Sequence, residues 1–152
     1  MRALCEPLEH FDKYRQSLSG LFKKGGYALY DRCAEPAKLQ LLYSLSREGM
    51  ADAGRVLIIT YSDQKARKIK DEYVFYDRNT VLFPAKDLIF YQADLRGREI
   101  VTERMRAMRR ILEGRKVTVV TTFSALMTPE IPIDVFRSYI LEVSLHQLTD
   151  PG

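Results

Sequence analysis

The run Val117-Thr118-Val119-Val120-Thr121 is the clearest structural signal in the sequence, because five β-branched residues follow one another. Such a run predicts a strand that is buried on both faces of a sheet. Val56-Leu57-Ile58-Ile59 is apolar without alternation and predicts a second strand of this kind. Thr80-Val81-Leu82-Phe83 predicts another strand, which Pro84 ends. The aromatic-rich run Tyr27-Ala28-Leu29-Tyr30 predicts a further strand near the N-terminus, which makes four.

Segments with helical periodicity lie before and between these strands. Apolar residues recur three or four positions apart, and proline or a capping residue opens several of the segments. The predicted helices begin near Pro7 (with Leu8, Phe11, Tyr14 and Leu18 inward), at Pro36, at Asp63 after an N-cap at Ser62, at Arg98 (with Val101, Met105, Met108 and Leu112 inward), and at Phe123. The alternation of strands and helices predicts an α/β fold with a mainly parallel sheet and helices on both faces.

The length and composition place the chain among globular proteins of one domain. It has 152 residues, of which 46% are hydrophobic and 29% are charged. No apolar run approaches the roughly 20 residues of a membrane helix, so we expect no membrane partner. Two cysteines, Cys5 and Cys33, form no disulfide framework. We therefore expect a reduced protein of the cytoplasm.

The turn between the first predicted strand and its helix is where a sheet of this kind would bind a nucleotide. It reads Asp31-Arg32-Cys33-Ala34-Glu35-Pro36-Ala37-Lys38-Leu39. A phosphate-binding loop needs glycines and a hydroxyl residue after its lysine, whereas this turn has no glycine and has leucine after Lys38. Glu35 would repel a phosphate, and Pro36 lacks an N–H donor. We interpret the turn as a degenerate phosphate loop that binds no cofactor; the alternative is a nucleotide hydrolase with an unusual loop around Lys38.

The sequence shows no grouping typical of a metal site or a catalytic nucleophile. His10 and His146 lie far apart, and no CxxC or HxxxH spacing occurs. Cys33 lies in the degenerate loop and could be a reactive thiol, but its neighbour Glu35 would disfavour a thiolate. We therefore assign no catalytic residue and no metal ligand.

Positive charge is concentrated in one segment, from Arg96 to Lys116, which has eight basic and three acidic residues. The net charge of this segment is +5, whereas the net charge of the whole chain is +4. On the predicted helix 98–112, Arg106, Arg109 and Arg110 lie opposite the apolar stripe. Two interpretations stay open. The face is either solvated and partly neutralised by neighbouring glutamates, or it contacts nucleic acid or a protein.

The run from Val81 to Gly97, VLFPAKDLIFYQADLRG, resembles the N-terminal region of bacterial transcription-repair coupling factors. The similarity continues through Glu103-Arg104-Met105-Arg106, through 112–122 (LEGRKVTVVTT) and through Phe123-Ser124-Ala125-Leu126-Met127. Its second half is also similar to the excision-repair protein UvrB, in which a comparable basic helix leads into a valine-rich strand.

This resemblance implies a UvrB-like domain with a degenerate P-loop NTPase fold over residues 1–132. Residues 133–152 would then begin the inserted UvrA-interaction domain, truncated here. The implied function is a non-catalytic scaffold that helps recruit UvrA in transcription-coupled nucleotide excision repair. ATP and magnesium would bind only in the motor domains of the parent protein, which would also contact DNA and RNA polymerase through its other domains. The principal UvrA-contacting residues would lie beyond this chain.

Overall fold

The computed structural model describes residues 8, 10–21, 26–49, 54–86, 94–114 and 116–140. They form three strands and six helices of defined bounds: α1 (Asp12–Leu21), α2 (Glu35–Gly49), β1 (Arg55–Thr60), α3 (Asp63–Tyr73), β2 (Thr80–Phe83), α4 (Asp94–Leu112), β3 (Val117–Thr122), α5 (Phe123–Met127) and α6 (Ile133–Ser138). The strands pair in the order β1-β3-β2, and both pairs are parallel. The predicted α/β class with a parallel sheet is confirmed.

Strand β3 is the centre of the sheet and is buried along all six of its residues. It pairs with β1 from Arg55↔Val117 to Thr60↔Thr122, and with β2 from Thr80↔Thr118 to Phe83↔Thr121. A strand flanked on both sides has no exposed backbone edge, which suits its β-branched composition. The predicted buried strand is therefore confirmed.

One face of the sheet carries the main hydrophobic core. Ile58, Val120 and Leu82 lie in one row across the three strands, since Ile58 and Leu82 are both in register with Val120. Helices α2 and α3 cover this row with the buried side chains of Leu39, Ala66 and Tyr73, and the rings of Tyr43 and Tyr76 pack against the same cluster. The packing of Leu39 in this cluster thus holds the beginning of α2 against the sheet.

Helix α3 begins where the sequence predicted. Ser62 is its N-cap, and the Ser62 hydroxyl accepts a hydrogen bond of 3.2 Å from the backbone N–H of Lys65. Ala66 and Tyr73 are buried as expected, while Ile69 is partly buried. This cap fixes the first turn of α3 directly after β1, and that turn carries Lys65.

Helix α4 turns a different face toward the sheet from the one we predicted. Val101 and Met105 are 52% and 44% exposed, whereas Arg104 and Ala107 are buried. The cause is the position of Arg104, whose guanidinium lies 4.0 Å from the centre of the Phe83 ring. Phe83 alternates with Leu82 and so points to the sheet face opposite the main core. The burial of Arg104 was not predicted, whereas Met108 and Leu112 of the predicted stripe are partly buried.

Strand β1 is an edge strand, and the prediction that it is buried on both faces was wrong. Ile58 is buried, but Leu57 and Ile59 on the other face are 55% and 40% exposed. Among the described residues no strand pairs with the outer edge of β1. The same apolar composition therefore occurs in a central and in an edge strand of this sheet.

The predicted strand Tyr27–Tyr30 is not formed, and the described sheet has three strands instead of four. Tyr27 and Leu29 are both 87% exposed in a segment without regular structure. Four residues with an aromatic side chain at each end are a weak strand signal when no neighbour supplies backbone hydrogen bonds. Of the helix predicted from near Pro7, Leu8 is helical, residues 1–7 and 9 lie outside the described residues, and α1 begins at Asp12 after Phe11, which is exposed and not inward as predicted.

Near the C-terminus, helix α6 was not predicted. It follows Pro132 and buries Phe136. The alternation of apolar and polar residues over Tyr139–Leu145 predicts a half-exposed strand, most of which lies outside the described residues, as do Cys5, His146 and residues 87–93 before α4. No described helix has both the length and the hydropathy needed to cross a membrane.

Because β3 is central and β1 is at the edge, Val120→Ala should lower the free energy of unfolding by about 2 kcal/mol. Leu57→Ala removes a larger side chain but from an exposed position, and should cost less than about 1 kcal/mol. Urea denaturation measures both. A loss for Leu57→Ala equal to that for Val120→Ala would contradict the exposure of Leu57.

Candidate functional site

The degenerate loop lies at the beginning of α2, which starts at Glu35 and has Pro36 in its first turn. The first turn closes through a backbone hydrogen bond of 3.1 Å from the N–H of Lys38 to the carbonyl of Ala34. The residue at the N-cap position is thus an alanine, which has no side chain to cap the helix. The lack of glycine in this turn leaves it an ordinary helix start.

The carboxylate of Glu35 is held between two lysines. One oxygen accepts a hydrogen bond of 2.5 Å from Nζ of Lys38, one turn along α2. The other oxygen accepts one of 2.5 Å from Nζ of Lys65, which lies 30 residues away in α3. The two ammonium groups that could neutralise a phosphate at this turn therefore bind an acidic side chain of the chain itself.

The ion pairs favour the charged forms of Glu35 and Lys65. Hydrogen bonds from Lys38 and Lys65 lower the pKa of Glu35 from 4.5 to about 2, and the lysine charges act in the same direction. The hydrogen bond to Glu35 raises the pKa of Lys65. At neutral pH, Glu35 is therefore ionised and both lysines are occupied.

A cleft of about 200 Å³ opens beside these ion pairs. It lies between α2 and α3, next to the residue that follows β1. Its charged and aromatic lining consists of Glu35, Lys38, Tyr61, Lys65, Lys68 and Glu72. Lys68 and Glu72 are 3.8 Å apart and form a looser ion pair. The cleft thus combines these charged side chains with the apolar side chains of Leu39 and Ile69, and each of its lysines has an acidic neighbour.

Of the other residues of the degenerate loop, Leu39 also lines this cleft, whereas Arg32, Cys33 and Pro36 do not. Arg32 has a φ of 56°, a left-handed conformation that glycine adopts more readily, and its exposed side chain pairs with the adjacent Asp31. Cys33 is a free, half-buried thiol. Pro36 lines a neighbouring apolar groove of about 420 Å³ with Phe75 and Tyr76. The structure thus brings together Glu35 and Lys38 of the predicted loop, but not Arg32.

The three arginines proposed as a contact surface lie on the exposed side of α4. Arg109 and Arg110 both pair with Glu113, at 3.0 Å and 3.8 Å. Glu103, a potential neighbour of Arg106, instead pairs with Arg67 of α3 at 3.2 Å. Among the described residues, Arg106 forms no ion pair. The basic face is therefore partly neutralised, with one arginine left in solvent.

A polar cluster around the buried side chain of Arg104 escaped the sequence analysis. The guanidinium, only 3% exposed, donates to the backbone carbonyl of Pro84 and to the carboxylate of Glu130. Lys86 pairs with the same carboxylate at 3.1 Å and donates to the carbonyl of Pro129. This Arg104 cluster joins α4, the end of β2 and the segment before α6. In the sequence, the one indication of this cluster was that Arg104 lies next to the apolar positions of the helix.

In the described part of the chain, no group of three or more His, Cys, Asp or Glu side chains converges to hold a metal ion. Comparisons with protein families, with curated proteins and with solved structures gave no match to this chain.

Breaking the Arg104 cluster should destabilise the fold. Arg104→Met leaves the Pro84 carbonyl and Glu130 without their main donor and should cost about 2 kcal/mol in urea denaturation. Arg109→Met, which removes an exposed i,i+4 pair, is the control and should change the free energy of unfolding by less than about 0.5 kcal/mol.

The pH dependence provides a second test of this cluster. Burial of the Glu130 carboxyl opposes its ionisation, but hydrogen bonds from Arg104 and Lys86 outweigh burial and lower its pKa below 4.5. The stabilisation is therefore complete above pH 4.5 and is lost as the pH falls further. The difference between wild type and Arg104→Met should shrink in that acidic range; a difference that stays constant there would contradict the role of Glu130.

Proposed function

We propose that this chain is a non-catalytic, UvrB-like scaffold module of the transcription-repair coupling factor type, which acts in the cytoplasm and helps recruit UvrA. The proposal joins the resemblance of residues 81–127 with the state of the degenerate loop. In the proposed organisation, residues 1–132 are a domain related to P-loop NTPases that no longer binds nucleotide. Residues 133–152 lead into the part that contacts UvrA.

The observation that carries the non-catalytic part is the pairing of Glu35 with Lys38 and Lys65. A phosphate-binding loop presents free N–H donors and a free lysine to the ligand. Here Pro36 removes one donor, and Glu35 supplies the negative charge that a phosphate would bring. A triphosphate would have to displace an internal carboxylate from two contacts of 2.5 Å each.

The Arg104 cluster supports a scaffold function in a second way. It ties the segment after α5 to the end of β2, so that Glu130 is held by both Arg104 and Lys86. Residues from Ile133 onward, which would lead into the UvrA-contacting part, leave the sheet from this anchored point. An anchor of this kind would limit the orientations available to the following segment.

The proposal predicts two results for the purified chain. Isothermal titration calorimetry should detect no binding of ATP with magnesium at concentrations up to about 1 mM. Immobilised chain should bind purified UvrA saturably, but with a Kd weaker than about 1 μM, because the principal contacts would lie beyond it.

Micromolar ATP binding would instead favour the nucleotide hydrolase with an unusual loop around Lys38. A complete lack of UvrA binding up to about 100 μM would overturn the scaffold function for this chain. Arg104→Met serves as a matched variant, since a loosened anchor should weaken UvrA binding without creating ATP binding.

The second candidate function is a DNA-binding module that uses α4. It is favoured by Arg106, which is exposed and forms no ion pair with the described residues. Against it, Arg109 and Arg110 share Glu113 as a partner. Fluorescence anisotropy with duplex DNA tests this candidate. The scaffold proposal predicts no saturable binding at 50 mM salt, whereas a DNA-binding module predicts binding that falls steeply as salt rises.

Replacement of Arg106, Arg109 and Arg110 by glutamine identifies the surface in that experiment. Binding that is present in wild type and lost in the triple variant would establish the DNA-binding alternative. Binding that both proteins share would place the contact elsewhere on the chain.

A further inference from the structure

The contacts of Glu35 have the pattern of a bound anion. Each carboxylate oxygen accepts from a different ammonium group, and the two lysines belong to different helices. The carboxylate also lies in the first turn of α2, where the partial positive charge of the helix adds to that of the lysines. The helix end alone would not define a site, but two converging lysines and a cleft accompany it.

A third lysine contributes to the same cleft. Lys68 lies one turn after Lys65 in α3 and lines the cleft together with Lys38 and Lys65. Three lysines thus face two glutamates, Glu35 and Glu72. Without the charge of Glu35, three ammonium groups would surround about 200 Å³ of open space with one opposing carboxylate, which is 3.8 Å from Lys68.

We propose that this cleft is a latent binding site for small phosphoanions, which Glu35 occupies as an internal anion. Ammonium groups act as compact point charges with rotatable donors, so they accept a phosphate without the planar geometry that arginine requires. The recognised chemistry is the phosphoanion alone, because no described feature of the cleft selects a base or a sugar. This inference goes beyond the proposed scaffold function and does not depend on UvrA.

The test is the variant Glu35→Gln, which keeps the size of the side chain and removes its charge. Inorganic pyrophosphate, titrated calorimetrically at constant ionic strength, should bind this variant at least about tenfold more tightly than wild type. ATP without magnesium should gain to a similar extent, because the phosphates supply the contacts. A gain confined to ATP would overturn the assignment to a phosphoanion.

The matched control is Glu72→Gln, which makes the same charge change in the lining of the same cleft. Of the three lysines, Glu72 is ion-paired with Lys68, at 3.8 Å, whereas Glu35 is paired with Lys38 and Lys65 at 2.5 Å each. This variant therefore frees one loosely paired ammonium group instead of two, and its gain should be clearly smaller than that of Glu35→Gln. An equal gain in both variants would show a general charge effect and overturn the specific site.

A double variant, Glu35→Gln with Lys65→Gln, should lose the gained affinity, since it lacks one of the two converging ammonium groups. Circular dichroism should show that all variants keep the helical content of wild type. If folded Glu35→Gln binds pyrophosphate no better than wild type, the proposal is wrong, whatever the result for UvrA.

Discussion

The burial of β3 is the constraint on which the rest of the structure depends. Three of its six buried residues are threonines, and a buried hydroxyl without a partner destabilises a fold. Each hydroxyl is satisfied by a residue outside the strand. Thr118 donates to Asp77 at 2.8 Å, Thr121 to the Phe83 carbonyl at 2.8 Å, and Thr122 to Asp63 at 3.3 Å. Asp77 lies in the turn before β2, and Asp63 lies in the first turn of α3. The strand that forms the core therefore also fixes the elements around it. The position of Lys65 beside Glu35 follows from this arrangement, because Lys65 shares the first turn of α3 with Asp63.

The strands of this sheet could be predicted because β-branched and apolar runs are a local property, but their order could not. Val56–Ile59 and Val117–Thr121 read alike in sequence, and only pairing separates the exposed Leu57 from the buried Val119. The prediction of which face of α4 packs on the sheet was wrong for a related reason. Burial of Arg104 depends on the Phe83 ring, the Pro84 carbonyl and Glu130, which lie far from it along the chain. Such tertiary partners leave no periodic signal, and the predicted stripe through Val101 and Met105 therefore lay on the wrong side.

The candidate site shows a similar division between local and tertiary information. The missing glycines, Pro36 and the negative charge of Glu35 are visible in the sequence and predict a turn that cannot cradle a triphosphate. The sequence analysis treated Glu35 as a source of repulsion. The structure adds that Glu35 is a ligand for both lysines, one of which is 30 residues away and was not among the predicted site residues. The capping signal of Ser62 located the start of α3, but nothing in the sequence places that start beside α2.

The chemistry of Glu35 also decides which signals could change this cleft. Hydrogen bonds from Lys38 and Lys65 hold the pKa of Glu35 at about 2, and the pairing raises the pKa of Lys65. Neither group changes its charge near neutral pH, so pH in that range cannot release the lysines. A competing anion can do so only if it offers each ammonium group an oxygen at least as favourable as those of the carboxylate. The side chain of Glu35 is 61% exposed, so its displacement unburies no charged group. The packing around β3 thus places Lys65 near Glu35, and the local charge balance determines whether the two stay paired.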